Sequence, residues 1–170
     1  MSDPESPETS GICYEVKMGR MGRVEHPDKL ITGAVLTCHA IAIINTKKRI
    51  AYLGHFPNFT MHGQRLLDGA IKEADSPEDL KVVAVGNIPI SKELAAIVKM
   101  DFEKALEQYR EHGRRIMDMI RSKGIPEGNI RNALEENPRK GSFEVEVDTE
   151  TCEIAVREEY FECDFDEELR

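Results

Sequence analysis

The sequence predicts an α+β fold, arranged as a layered β-sandwich or sheet core with flanking helices. Apolar runs of strand length occur in both halves of the chain, and amphipathic tracts with a helical period lie between them. The two kinds of segment do not alternate as regular βαβ units, which indicates segregated layers. A length of 170 residues fits one domain. We expect that domain at residues 11–160, between a disordered tail at 1–10 and an acidic tail at 161–170.

The first strands are predicted from two patterns. Tyr14, Val16 and Met18 alternate with polar neighbours, which is typical of a strand with one buried face. Residues 31–56 read as two apolar strands joined by a short polar turn, and so predict a hairpin. Within it, residues 34–44 are apolar on both faces, which is typical of a strand covered on both sides by other layers.

Two helical tracts follow the hairpin. Residues 61–74 carry apolar side chains at helical spacing, and Thr60 precedes them as a suitable N-cap. A longer apolar-periodic tract extends over residues 91–123. We expect it to break near residues 100–101 or near residues 112–113, since a glycine at position 113 weakens a helix interior.

Further strands complete the predicted sheet core. Residues 80–85 form a short, uniformly apolar run between the two helical tracts. An extended passage follows the second tract, up to residue 134. Apolar and polar side chains then alternate in two further segments, 143–148 and 152–157, which a polar turn joins. The pattern predicts a closing hairpin with one solvent-exposed face.

Composition excludes several classes of partner. The formal net charge of −9 argues against nucleic acid, which is bound by neutralising phosphates with Lys and Arg. No apolar run is long enough for a membrane span, and the N-terminus lacks the features of a signal peptide, so we expect a cytoplasmic protein. The four cysteines lack zinc-ligand spacing, and we expect no metal and no organic cofactor. The acidic surface is a candidate for docking a protein partner.

The central hairpin brings a cysteine and a histidine together. If it folds symmetrically about the bond between residues 46 and 47, facing residues have numbers that sum to 93, and Cys38 lies directly opposite His55. Directly opposed residues have Cβ atoms roughly 4.5–5.5 Å apart on one face of the ladder. A thiol and an imidazole at that separation form a candidate nucleophile–base pair, because the nucleophile must be a thiolate.

Three neighbouring residues could assist or replace a member of this pair. Thr32 lies six residues before Cys38, so a regular strand puts both on one face, where the threonine can orient the histidine. His39 directly follows the cysteine and should point to the opposite face. His62, seven residues after His55, is the alternative base.

Residues 14–55 resemble the start of the CheD family of chemoreceptor glutamine deamidases. The family's opening strand corresponds to YEVKMG, and its threonine, cysteine and histidine correspond to Thr32, Cys38 and His55, with spacings of six and seventeen residues. Residues 112–126 and the closing hairpin are similar to later family segments. The same cysteine–histidine core is found in deamidase toxins such as cytotoxic necrotising factor and in N-terminal asparagine amidohydrolases, whose Thr-Cys-His resembles LTCHAIAII here.

The resemblance implies a CheD-like fold and an amidohydrolase that converts Gln or Asn side chains of a protein or peptide into acids. Cys38 would attack the amide carbonyl, His55 would transfer the proton, and Thr32 would be the third member of the site. Backbone groups beside the cysteine, at Thr37 and His39, would support the oxyanion.

The chain departs from the family immediately before the cysteine. The family has Gly-Leu-Gly-Ser-Cys, whereas this sequence has Ala-Val-Leu-Thr-Cys at residues 34–38. A lost glycine changes the backbone conformations available beside the nucleophile. Two alternatives therefore stay open: a catalytically inactive CheD-like binding or regulatory module, and a small-molecule amidohydrolase.

Overall fold

The chain folds into two β-sheets and one layer of helices, as seen in a computed structural model. The structure describes residues 10–35, 38–57, 61–86, 92–134 and 142–159. Apart from Ser10, both expected tails lie outside these ranges. The described residues form nine strands and three α-helices, which confirms the expected layered α+β class.

The elements are numbered in chain order. The strands are β1 (Cys13–Glu15), β2 (Arg20–Glu25), β3 (Lys29–Val35), β4 (His39–Asn45), β5 (Ile50–Phe56), β6 (Leu80–Gly86), β7 (Ile130–Leu134), β8 (Ser142–Asp148) and β9 (Glu153–Glu159). The helices are α1 (Met61–Glu73), α2 (Lys92–Ile97) and α3 (Phe102–Ser122). None of these described helices is long and apolar enough to cross a membrane.

The two sheets differ in size and lie face to face. The four-stranded sheet has the order β1-β3-β8-β9, and the five-stranded sheet has the order β2-β5-β4-β6-β7. One buried cluster fills the space between the sheets, and a second fills the space between the five-stranded sheet and helices α1 and α3. The five-stranded sheet is therefore the middle of three layers.

Strand β4 shows why a run that is apolar on both faces suits this position. Ala40, Ala42 and Ile44 belong to the cluster between the sheets, while Ile41 and Ile43 belong to the cluster under the helices. All five side chains are fully buried. Burial of each isoleucine contributes roughly 1.5–3 kcal/mol, so both faces of the strand stabilise the layered arrangement.

The segment expected to form a two-stranded hairpin contains three strands, which corrects the sequence-based prediction. Residues 29–35 form β3 of the four-stranded sheet, and the chain enters the five-stranded sheet only at His39. The ladder between β3 and β8 shifts register after Thr32, where Gly33 and Ala34 form a bulge and Ala34 has φ 54°. A bulge bends its strand, which suits a chain that is about to change sheets.

The expected hairpin register is also wrong. His55 lies opposite Ala40, and paired residues of β4 and β5 have numbers that sum to 95. Asn45 stays in the ladder, and its side-chain oxygen accepts hydrogen bonds from the backbone N–H groups of Lys47 and Lys48 in the turn. Arg49 closes the loop with φ 57°. The turn is thus one residue further along than expected. An even shift of two keeps the parity, so Cys38 and His55 still project to the same side.

Strand β2 was not predicted, because Gly19, just before the strand, and Gly22 within it favour a break. Gly22 faces the four-stranded sheet, and a Cβ there would lie 2.8 Å from Val16 and 2.9 Å from Leu30. The glycine is therefore needed where the two sheets approach closely, and it does not end the strand.

The helices match the predicted segments closely. Helix α1 begins at the expected residue. The longer tract breaks near residues 100–101 and not at 112–113. There Asp101 caps α3, because its side chain accepts a hydrogen bond from the N–H of Lys104. The expected cap Thr60 lies outside the described residues.

Candidate functional site

The candidate site lies between the two sheets, at the end of β5. His55 projects from the five-stranded sheet towards β3, on the same face as its cross-strand neighbour Ala40. Thr32 projects from β3 to meet it. Both side chains are buried, with 3% of His55 and 1% of Thr32 exposed, so this polar contact is shielded from bulk water.

The hydrogen bonds of Thr32 determine the tautomer of His55. The hydroxyl oxygen of Thr32 lies 2.8 Å from Nδ1 of His55 and 2.6 Å from the carbonyl oxygen of Val16. A hydroxyl has one proton, and the Val16 carbonyl can only accept it. The Thr32 oxygen must therefore accept the proton of His55 Nδ1–H, which leaves the lone pair of the neutral imidazole on Nε2.

Nε2 of His55 is buried and has no hydrogen-bond partner among the described residues. Burial also lowers the pKa of His55 below its ordinary value. Desolvation disfavours the charged imidazolium, so the ring is neutral near neutral pH. His55 thus offers a free, oriented and unprotonated nitrogen, which is the requirement for a general base.

Cys38 lies just before β4, and 4% of it is exposed. Its Sγ is 3.7 Å from Sδ of Met18 and makes no described hydrogen bond to His55. If the ladder is continued by one pair, Cys38 falls opposite Pro57 and diagonal to His55. Diagonal neighbours are roughly 7–8 Å apart, so the direct opposition expected from the sequence is replaced by a more distant placement on the same face.

The segment 16–20 contacts all three of these residues. The carbonyl of Val16 accepts from Thr32, the thioether of Met18 touches Cys38, and the N–H of Gly19 donates to the carbonyl of His55 at 2.7 Å. This segment was missed from the sequence, because it contacts the site through backbone atoms and a thioether, and neither marks a residue as a candidate for catalysis. The signal that could have located it is YEVKMG, which was matched only as an opening strand.

A depression of about 380 Å³ opens beside His55. Its lining residues are Glu15, Val16, Lys17, Met18, Thr32, Gly33, Ala34 and His55. The volume is within the roughly 300–1,000 Å³ typical of small-ligand pockets. A small polar group, such as a primary amide, fits beside the histidine.

The bulge of β3 forms one wall of this depression. The carboxylate of Glu159, at the end of β9, lies 3.5 Å from the backbone nitrogen of Ala34 and 3.3 Å from the hydroxyl of Ser142. Ala34 has a positive φ, which costs a residue with a side chain about 1–2 kcal/mol. Glu159 and Ser142 therefore hold a strained wall in place beside Thr32.

His39 lies on the opposite face of β4, away from His55. Its ring stacks on Tyr109 of α3 with centroids 5.7 Å apart, and it packs against His112 at 4.8 Å. Only its backbone N–H can therefore serve the oxyanion role expected for it. Thr37 lies outside the described residues, and His62, the alternative base, is exposed on α1.

The described residues hold no group of three or more His, Cys, Asp or Glu side chains placed to bind a metal ion. Three cysteines are described, and all are free thiols: Cys13 is exposed, Cys38 is buried and Cys152 is intermediate. Partial desolvation by its neighbours, together with the nearby carboxylate of Glu146, raises the pKa of Cys13, which makes this thiol a poor nucleophile near neutral pH.

Fold and site together define a three-layer α+β protein with an oriented Thr–His pair near a buried cysteine. No protein-family model matches the chain, and no curated protein matches it. Two solved structures are distantly similar. YlmD from Geobacillus stearothermophilus has 10% identity and a TM-score of 0.43, with 66% of this chain and 49% of that chain covered. The hypothetical protein YfiH of Bacillus licheniformis has 14% identity and a TM-score of 0.44, with 68% and 51% covered.

The chain thus spans about half the length of each of these two structures. A likeness of this degree says nothing about activity.

Proposed function

We propose that the protein is a cysteine-dependent amidohydrolase that converts the side-chain amide of glutamine or asparagine, in a protein or peptide, into the acid. The observation that carries the proposal is the Thr32–His55 pair, with the Thr32 proton engaged by Val16 and Nε2 of His55 left free. The resemblance of residues 14–55 to the CheD family supports the same reaction. We also propose a cytoplasmic location, where a reactive thiol stays reduced.

In the proposed reaction, Nε2 of His55 accepts the proton of the Cys38 thiol as Sγ attacks the amide carbon. The tetrahedral intermediate collapses with loss of ammonia, which receives the proton from His55, and leaves a thioester on Cys38. Water, deprotonated by His55, then releases the carboxylic acid and restores the thiol. Backbone N–H groups beside Cys38 would stabilise the oxyanion.

The reaction requires Cys38 to exchange its contact with Met18 for one with His55. Continuation of the ladder by one pair puts Cys38 on the face of His55, and Met18, which touches Cys38, lines the same depression as His55, so the thiol does not have to cross the sheet. Catalytic hydrogen bonds are often long in ligand-free proteins and shorten only when substrate is bound. Substrate bound between Met18 and His55 would favour the rearranged position.

A non-catalytic binding module is the second candidate function. The specific observation in its favour is that Sγ of Cys38 contacts Met18 and makes no described hydrogen bond to His55. In that case the depression would bind an amide without hydrolysing it, and the acidic surface would dock a protein partner.

The deciding experiment measures ammonia released from glutamine- and asparagine-containing proteins by wild type, Cys38→Ala and Cys13→Ala. We expect wild type and Cys13→Ala to release ammonia, with the matching mass gain in the substrate, and Cys38→Ala to release none. Cys13 is the matched control, because it is an exposed thiol in β1 outside the candidate site.

Ammonia release by Cys38→Ala at the wild-type rate would contradict the proposal. A wild type that releases no ammonia, with a Cys38 that iodoacetamide does not modify near neutral pH, would favour the binding module. Binding of an amide peptide to that inert protein would then establish the second candidate.

A further inference from the structure

Arg20, the first residue of β2, lies directly opposite His55 in the antiparallel ladder. Directly opposed residues project to the same face of a sheet. The next residues on that face of β2, Gly22 and Val24, contact the four-stranded sheet or the cluster beneath it. Arg20 therefore projects into the space beside the candidate base, at the open edge of the sandwich.

The backbone fixes Arg20 relative to His55. Residues 17–20 form a tight turn in which the N–H of Arg20 donates to the carbonyl of Lys17 at 3.0 Å. Gly19 is the third residue of this turn and has φ 79°. A type II turn requires a positive φ at its third residue, and glycine adopts it without strain. The N–H of Gly19 is bonded to the carbonyl of His55, so the turn and the histidine form one unit.

The guanidinium of Arg20 is available to a ligand. The side chain is exposed and has no ion-pair or hydrogen-bond partner among the described residues. Its neighbour Arg23 is instead bonded to Glu25 at 2.8 Å and Glu73 at 2.6 Å. In a chain with a net charge of −9, an arginine beside the candidate base that has no partner among the described residues is a candidate for binding an anion.

Arg20 and His55 line two neighbouring depressions that share wall residues. The one beside His55, of about 380 Å³, shares Glu15, Val16 and Lys17 with a larger one of about 540 Å³ that includes Arg20. A ligand that reached past the shared residues would place one group at the histidine and another at the guanidinium. Lys17, at the other end of the turn, is also exposed and has no described ion-pair partner.

The carboxylates that line the larger depression differ in whether another group already pairs with them, and so in how strongly they would repel a bound anion. Glu25 is paired with Arg23, and Asp28 accepts a hydrogen bond from the N–H of Ile12. Glu15 has no described partner, and it is the side chain that would oppose a bound anion. Replacing it by glutamine should therefore strengthen anion binding.

We propose that Arg20 anchors a carboxylate of the substrate, so that the preferred substrates are amides that carry a carboxylate a short distance from the amide. The inference rests on the amide hydrolysis proposed above and specifies its substrate class. A guanidinium suits this role because its planar fork can donate two parallel hydrogen bonds to one carboxylate. The carboxylate can come from an acidic residue next to the target in a protein, or from the α-carboxylate of a free amino acid.

The first test compares kcat/KM for ammonia release from three peptides that differ only in the residues flanking one glutamine: Glu, Ser or Lys. Free glutamine is the fourth substrate. The variants are Arg20→Gln and, as the matched control, Arg65→Gln, an exposed arginine on α1 with no described partner. We expect wild type to prefer the Glu-flanked peptide, and Arg20→Gln to lose about tenfold on it, mainly through KM, equivalent to about 1.4 kcal/mol.

The Ser-flanked peptide should be little affected by Arg20→Gln, and Arg65→Gln should behave as wild type on all substrates. A loss confined to free glutamine would assign the α-carboxylate as the anchored group. The proposal would be overturned by an equal loss on all four substrates, or by a wild type that prefers neither the Glu-flanked peptide nor free glutamine to the Ser-flanked peptide. Glu15→Gln should raise the preference for the Glu-flanked peptide.

The second test does not depend on turnover. Iodoacetate and iodoacetamide have nearly the same size, but only the former carries a carboxylate. The rates at which each alkylates Cys38 are measured by mass spectrometry of the peptide that contains it. We expect the iodoacetate-to-iodoacetamide ratio to fall severalfold in Arg20→Gln and to stay unchanged in Arg65→Gln.

The two tests separate the two proposals. A falling alkylation ratio without ammonia release would support the anchor and contradict the hydrolysis. Ammonia release with an unchanged ratio and an unchanged peptide preference would contradict the anchor alone. A Cys38 that neither reagent modifies would count against both, since an anchor acts only beside a reactive thiol.

Discussion

His39 and His55 lie one ladder step apart on opposite faces of the same sheet, and their environments differ. Both are buried, and burial lowers the pKa of each, with His112 lowering that of His39 further, to about 4. His55 has one nitrogen bonded to Thr32 and the other free. His39 has no described hydrogen bond at either nitrogen and is held by ring contacts with α3.

The difference shows that burial alone does not make a histidine a candidate base. Both rings are kept neutral by desolvation. Only His55 has a defined tautomer and faces a depression that a ligand can enter. The difference is made by the Thr32 hydroxyl, which donates its proton to the Val16 carbonyl and therefore accepts the Nδ1 proton of His55. His39 has no such partner among the described residues and is held by ring packing.

The largest expected effect is on activity. His55→Gln should lower kcat/KM for ammonia release by about 10²–10⁴-fold, because the proton-transfer group is lost. His39→Gln, the matched change on the other face, should leave kcat/KM nearly unchanged in the fraction that folds. Equal losses in the two folded variants would contradict the assignment of His55 as the base.

Thr32→Val should have the next largest effect. The change removes the acceptor of the Nδ1 proton, so the free lone pair is no longer confined to Nε2, and we expect kcat to fall by about tenfold or more. Thr32→Ser keeps the hydroxyl and should restore most of the activity. If valine and serine variants were equally active, the hydroxyl would have no role in positioning the ring.

A third effect concerns stability in acid. His39 has a pKa of about 4 in the folded protein, against about 6.5 when unfolded. The unfolded chain therefore binds the proton first, and stability is full above about pH 6.5 and falls as the pH is lowered towards 4. That loss is of order 3 kcal/mol for this shift. In urea unfolding, His39→Phe should lose correspondingly less stability over that interval, and an unchanged loss would contradict the interpretation.

The smallest effect is the position of the acid limb of kcat/KM. Burial lowers the pKa of His55, so the base should stay unprotonated below the usual value of about 6.5 for histidine. We expect activity to be constant from neutral pH down past that value and to fall only at lower pH. A fall that begins above it would show that the imidazolium is stabilised and would contradict a desolvated, neutral base.

Local patterns were sufficient to predict much of the fold. The helices at α1 and α3, the buried run of β4 and the alternating hairpin of β8 and β9 follow from periodicity, because each depends on which face of one element is buried. The break before α3 follows from the capping chemistry of Asp101. Strand β2 was missed, because its one glycine, Gly22, is required by the contact between the sheets and does not mark a break.

The sequence by itself determined the residue types Thr32, Cys38 and His55, their spacing and the parity that keeps Cys38 and His55 on one face. Only the tertiary structure placed Thr32 in a different sheet from His55 and shifted the β4–β5 pairing so that paired residue numbers sum to 95 and not 93. It also brought the segment 16–20 into contact with Thr32, Cys38 and His55. The physical reason is that side-chain alternation reports the face of a strand, whereas strand pairing and sheet packing depend on contacts between distant segments. For the candidate base, local sequence supplies the imidazole, and the contact between sheets supplies its orientation.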